Sequence, residues 1–150
     1  MNAAHFHLMF THLPIVGVGF AFLLNFVAVL WNNQDLRKLS CWFYIVTGVL
    51  SVLAILTGDG AGEIVKTYPG ISADTVEYHE TWGYVFFYCL LAVSALSALA
   101  LWYAGSKPDL MKKFMISLLA FAIVALVFAY QAGTTGGTIR HPEIENGPYR

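Results

Sequence analysis

His7-Leu-Met-Phe-Thr-His12-Leu-Pro14 stands at the mouth of the first long apolar run of the chain. Two histidines, five residues apart, sit where a stretch of nearly unbroken hydrophobicity begins. From Pro14 to Trp31 that stretch would reach roughly 27 Å as a helix, close to a hydrocarbon core of about 30 Å. Leu8 to Trp31 therefore reads as a membrane span. Pro14 has no N–H to donate, which a first helical turn tolerates, so the helix is free to start near Thr11 or His12.

Three further runs follow, over about 40–58, 81–103 and 111–131. The chain has 150 residues, 58% hydrophobic and only 11% charged. A soluble domain carries about a quarter charged residues, so this one lacks groups to cover a water-facing surface. The expected fold is all-α: a single antiparallel bundle of four transmembrane helices. The formal net charge of −1 and the absence of a basic block exclude an electrostatic footprint for nucleic acid. Cys41 and Cys89 lie inside apolar runs without zinc or iron–sulfur spacing and read as buried thiols. No Lys or Arg precedes the first run, which is also too long for a signal peptide, so it reads as mature structure.

The connections carry the punctuation. Gly58, Gly60 and Gly62 alternate with other residues between Thr57 and Glu63, and are expected to end the second span. No strand precedes them, so they are not a nucleotide-binding loop. Asp59 and Glu63 then read as solvated residues after a helix. Residues 64–78 read as a loop with a turn at Tyr68-Pro69-Gly70 and room for a short surface helix. Ser72 or Asp74 is placed to cap a helix leading through Glu77 and Tyr78 to His79. Ala92–Ala100 has the composition of a close helix–helix seam. Gln131–Gly137 reads as a flexible exit from the membrane, followed by a polar tail over 138–150. No internal repeat is visible in the sequence.

Five of the eight basic residues, Arg37, Lys38, Lys107, Lys112 and Lys113, flank the two short connections. The positive-inside rule puts those connections in the cytoplasm and both termini outside, on the periplasmic side of a bacterial inner membrane. With four spans, His7, His12, His79 and His141 then share one end of the bundle. Ionisable side chains inside a membrane bundle are costly and point to function, whereas His5 reads as a headgroup-level side chain. Two imidazoles from two helices can hold a haem b, and four can hold two. If residues 7–12 are helical, His7 and His12 point roughly 140° apart and cannot share one iron. The pairs expected therefore join His7 or His12 to His79 or His141. Gly17, Gly19, Gly58, Gly60, Gly133, Gly136 and Gly137 are expected to clear walls for a porphyrin, and Trp82, Tyr84, Phe86 and Phe87 to pack on its edge.

The same residues resemble a bacterial family of small four-helix predicted membrane proteins of unknown function. Its opening His-Pro-hydrophobic-hydrophobic-x-His-Phe-Pro is similar to His7–Pro14 here, with Leu8 and Leu13 in place of the family's Pro and Phe. Thr57-Gly58, His79 and Gly136-Gly137 with His141 match its later motifs. Some members look fused to Rieske-type iron–sulfur domains, which implies electron transfer. The function expected is a b-type cytochrome or the haem-bearing subunit of a redox complex, more an electron carrier than a stand-alone enzyme. Its partners would be other redox subunits, a periplasmic cytochrome or a membrane quinone, or further copies of itself. Two alternatives stay open. One is a non-haem copper, iron or zinc site built from the four histidines with Glu77, Glu80 or Asp59. The other is a structural subunit without a cofactor.

Overall fold

The computed structural model describes residues 2–141. Four helices account for nearly all of them: α1 (Ala3–Leu30), α2 (Gln34–Val65), α3 (Ala73–Tyr103) and α4 (Pro108–Arg140). All four are long and apolar enough to cross a membrane. At about 1.5 Å per residue each is longer than a hydrocarbon core is thick, so its ends reach into the headgroup layer.

Three helices start on side-chain caps. Asn2 accepts the His5 N–H, Asn33 accepts those of Asp35 and Leu36, and Ser72 accepts that of Asp74. The fourth begins with Pro108, whose missing N–H is no loss in a first turn. Asn32 takes a left-handed φ of 50° in the three-residue turn between α1 and α2. Each helix packs on two neighbours: α1 on α2 and α4, and α3 on the same two. The helices therefore stand at the corners of a square, with α1 and α3 on one diagonal.

Several sequence expectations shift at the helix ends. The first helix does not begin near Pro14; it runs through it from Ala3, with Pro14 buried. The alternating glycines do not end α2, which continues two turns further to Val65. They stay helical because neighbours need the space. A Cβ on Gly60 would come within 3.0 Å of Ala3, and one on Gly62 within 2.5 Å of a Glu80 carboxylate oxygen. Tertiary packing here outweighs the intrinsic cost of helical glycine, about 1 kcal/mol each. Residues 64–78 hold no surface helix: α3 already starts at Ala73, leaving a short connection over 66–72. Gln131–Gly137 is not a flexible exit but the last part of α4, where Thr134 and Thr135 bond back to backbone carbonyls. Of the expected polar tail only 138–141 lies within the described residues.

The close seam lies partly within Ala92–Ala100 and extends to other helices. Ala92, Ala95 and Ala98 face outward, while Val93, Ser97 and Ala100 are buried. The small residues that let helices approach are Ala122, Ala125, Ala129 and Ala132 of α4, with Gly17 of α1 against Thr47 and Gly48 of α2 against Ser94. Val16, Leu23, Leu56, Ile116 and Val127 are more than half exposed, as a lipid-facing surface requires.

The fold also contains a repeat that the sequence conceals. A shift of 72 carries every buried residue of α1 (14, 18, 21, 25, 28) onto a buried residue of α3 (86, 90, 93, 97, 100). A shift of 78 carries Arg37, Ser40, Tyr44, Thr47 and Ser51 of α2 onto Met115, Leu118, Ala122, Ala125 and Ala129 of α4, all buried. A heptad-like pattern alone would tolerate slippage by one repeat. The register is fixed by His7 and His79, which the first shift exchanges, and by Ala54-x-x-Thr57-Gly58 and Ala132-x-x-Thr135-Gly136, which the second exchanges. The bundle is two similar helical hairpins related by an approximate two-fold axis along the bundle.

Candidate functional site

The start of α1, the end of α2, the start of α3 and the end of α4 meet at one end of the bundle. They enclose an open cavity of about 890 Å3, with mostly apolar walls. His7 and His79 enter it from the diagonally opposed helices α1 and α3. Their ring centres are 6.3 Å apart and the ring planes nearly perpendicular.

Each imidazole is tied down by the neighbouring helix of its own hairpin. His7 Nδ1 lies 3.0 Å from the Ala54 carbonyl oxygen and 3.3 Å from Thr57 Oγ1. His79 Nδ1 lies 3.0 Å from Thr135 Oγ1, and the Ala132 backbone also bonds to the ring. The hydroxyl protons are already committed. Thr57 Oγ1 donates to the carbonyl of Leu53 or Ala54, and Thr135 Oγ1 to that of Gln131 or Ala132. Both hydroxyl oxygens are therefore acceptors towards histidine, and both Nδ1 atoms carry the hydrogen. In each neutral ring the lone pair is then on Nε2. A bond from Nδ1–H to a fixed acceptor is the arrangement that orients a metal-ligating histidine.

Two glycines make room for the rings. A Cβ on Gly58 would stand 3.4 Å from His7 Cε1, and one on Gly136 only 2.9 Å from His79 Cε1. These two, expected to wall a porphyrin, line the cavity and stand against the imidazoles. Gly133 and Gly137 line the cavity with nothing within 4 Å of an added Cβ, so they keep its α4 side open. Gly17 is not at the cavity: it packs on Thr47, whose hydroxyl would lie 2.7 Å from a Cβ there. Tyr84, Phe86 and Phe87 line the walls, whereas Trp82 packs on Tyr78 and Phe128 elsewhere.

The other expected ligands are not gathered with this pair. Residues 7–12 are helical, so the angular separation applies, and His12 is exposed at the cavity rim with Thr11 Oγ1 at 3.4 Å. His141 is the exposed C-cap residue of α4, also at the rim. His5 borders the same opening. Asp59 lies within α2 and accepts a hydrogen bond from Tyr84 at 3.3 Å. Among the described residues no group of three or more His, Cys, Asp or Glu side chains comes close enough to hold a metal ion. Thr135, Ala54 and Ala132, which orient the rings, were not singled out from sequence. Their signal is Ala-x-x-Thr-Gly, once near the end of each even-numbered helix.

A metal–imidazole bond of about 2 Å on each side of one ion would put the ring centres roughly 6 Å apart. The separation of 6.3 Å matches one ion held between the two rings, with no third close ligand among the described residues. A haem fits that donor set: it brings four ring nitrogens of its own and needs two axial bases and an apolar cavity. The chain matches no protein-family model, no curated protein and no solved structure.

Proposed function

We propose that this chain is a haem b-binding membrane protein that carries electrons, and that His7 and His79 would hold one haem. The observation that carries the reading is the pair itself. Two imidazoles on diagonal helices stand 6.3 Å apart, with Nδ1 anchored and no hydrogen bond to Nε2 among the described residues. Bound between them, haem supplies reversible one-electron chemistry at the iron. The protein's own part is electrostatic and steric. The Ala54 and Thr135 oxygens hold the rings and raise their basicity, and the apolar walls limit water.

The site would serve a membrane quinone or a soluble redox partner on the same side. The basic residues around the two short connections favour placing this end of the bundle on the periplasmic side of an inner membrane. A reporter fused after Arg150 is then active only outside the cytoplasm, and cytoplasmic activity would reverse the assignment. The resemblance to small membrane proteins with Rieske-fused members points the same way on electron transfer. A non-haem site is disfavoured, because the described residues offer only two close ligands.

The decisive measurement is a reduced-minus-oxidised visible spectrum of the purified protein with haem quantified per chain. One low-spin haem per chain is expected. A preparation supplied with haem that binds none leaves the structural reading, in which His7 and His79 merely tie the helices together.

A further inference from the structure

The cavity has two sides that the hairpin relation sets against each other, one between α2 and α3 and one between α4 and α1. The backbone is alike at both, and the charge is not. We infer that haem sits with its propionates towards the α4–α1 side, where Arg140 is their partner. This rests on the haem reading and names a contact which that reading alone does not require.

On the α2–α3 side a Cβ on Gly62 would stand 2.5 Å from Glu80 Oε1, so a carboxylate occupies the space beside that glycine. Tyr84 donates a hydrogen bond to Asp59 Oδ1 across the same side, at 3.3 Å. The shifts that relate the hairpins pair Gly62 with Arg140, Glu80 with Leu8, Asp59 with Gly137 and Tyr84 with His12. All eight residues line the cavity. The α2–α3 side therefore carries two carboxylates, and the α4–α1 side a guanidinium and an imidazole with no carboxylate. Lys66, at the end of α2, does not redress this: it is not a lining residue, and it pairs with Glu63 at 3.4 Å. Neither ion pair among the described residues involves Arg140.

Arg140 stands about one turn, roughly 6 Å, beyond Gly136, the glycine against His79. It is thus outward of the imidazoles, towards the mouth, and exposed. The propionates are the charged substituents of haem b, and both lie along one edge of the ring. That edge is repelled by Glu80 and Asp59, and it gains charge-assisted hydrogen bonds from a guanidinium. Attraction on one side and repulsion on the other act in the same sense.

The test is the rate at which the full-length protein loses its porphyrin to an excess of apoprotein acceptor. It is run with haem b and with its dimethyl ester, in which both propionates are uncharged. Arg140→Gln should speed the loss of haem b by about fivefold, the upper range for an exposed ion pair, and leave the loss of the ester unchanged. Glu80→Gln should not speed the loss of either. An Arg140 variant that loses both porphyrins faster alike, or neither, overturns the inference while leaving the haem reading intact. A Glu80 variant that loses haem b alone faster also overturns it, because the propionates would then lie on the α2–α3 side. A protein that takes up neither porphyrin overturns both.

Discussion

The two hairpins of this bundle agree at one end and part company along their length. At the cavity each contributes the same device: a histidine from its first helix, held by an Ala-x-x-Thr-Gly turn of its second. Away from the cavity the equivalent inward positions differ in kind. On α2 they are Arg37, Ser40, Tyr44, Thr47 and Ser51; on α4 they are Met115, Leu118 and three alanines. Packing fixes which positions face inward in both halves, but it does not require a polar α2 or an apolar α4. What the halves share must therefore be read at the histidine end, and what they do not share can vary without touching it.

The strongest test of that equivalence is the pair of ligands. His7→Ala and His79→Ala should each abolish low-spin haem, leaving the chain empty or high-spin, and should do so to the same extent. His5→Ala and His12→Ala should leave the spectrum unchanged. A normal spectrum in either ligand variant would break the two-fold reading, and loss in His12→Ala would return the α1 ligand to the exposed face.

Next in size are the glycines, where the halves are alike in kind but not in clearance. A Cβ at position 136 would stand 2.9 Å from His79, and at position 58 it would stand 3.4 Å from His7. The first distance forces the ring to move; the second is ordinary contact. Gly136→Ala should therefore cost about 1–3 kcal/mol of stability or lower haem occupancy, with Gly58→Ala well below it. Haem per chain and thermal unfolding in detergent both report on this. Equal effects would mean that the imidazole of His79 has room to turn.

These glycines also show where the sequence could be read and where it could not. Four spans were legible because lipid contact demands long apolar runs, whatever packs inside them. The convergence of His7, His12, His79 and His141 at one end followed from counting those spans. The helix ends were misplaced because Gly58, Gly60, Gly62, Gly133, Gly136 and Gly137 act as breakers by local propensity. In the fold, five of them border the cavity and Gly60 meets Ala3, all within helices. A glycine required by a distant neighbour looks, in sequence, like one required by a turn. The choice between His7 and His12 stayed open for a related reason. It depended on whether Pro14 lies at the start of α1 or within it, and the Asn2 cap decides that from twelve residues away.

The threonines offer a smaller contrast. His79 Nδ1 lies 3.0 Å from Thr135 Oγ1, with the Ala132 backbone beside it, whereas His7 Nδ1 has the Ala54 carbonyl at 3.0 Å and Thr57 Oγ1 further off at 3.3 Å. Thr135→Val should loosen its ring by about 0.5–1.5 kcal/mol, the usual worth of one such bond. Thr57→Val should do less, because its hydroxyl is the more distant of the two, at 3.3 Å against 3.0 Å. The measurement is the rate of haem loss to an excess of apoprotein acceptor. A faster loss from the Thr57 variant would show that the hydroxyl, not the carbonyl, orients His7.

The smallest effect is expected where the halves differ most. Tyr44 is fully buried on the polar face of α2, at the position that Ala122 occupies in α4. Its hydroxyl faces the buried Asn25 side chain, yet neither that hydroxyl nor Asn25 Oδ1 completes a hydrogen bond. Desolvating an unpaired hydroxyl costs about 1–3 kcal/mol, so its removal with the ring retained has little to lose. Tyr44→Phe should therefore leave unfolding in detergent unchanged, or raise stability slightly, with the haem spectrum intact. A loss above about 1 kcal/mol would reveal that the hydroxyl has a partner after all, and a buried water between Tyr44 and Asn25 is the species that chemistry allows. That outcome would give the polar face of α2 an internal solvent site with no counterpart in α4, and it would sharpen the difference between the hairpins while leaving their shared end untouched.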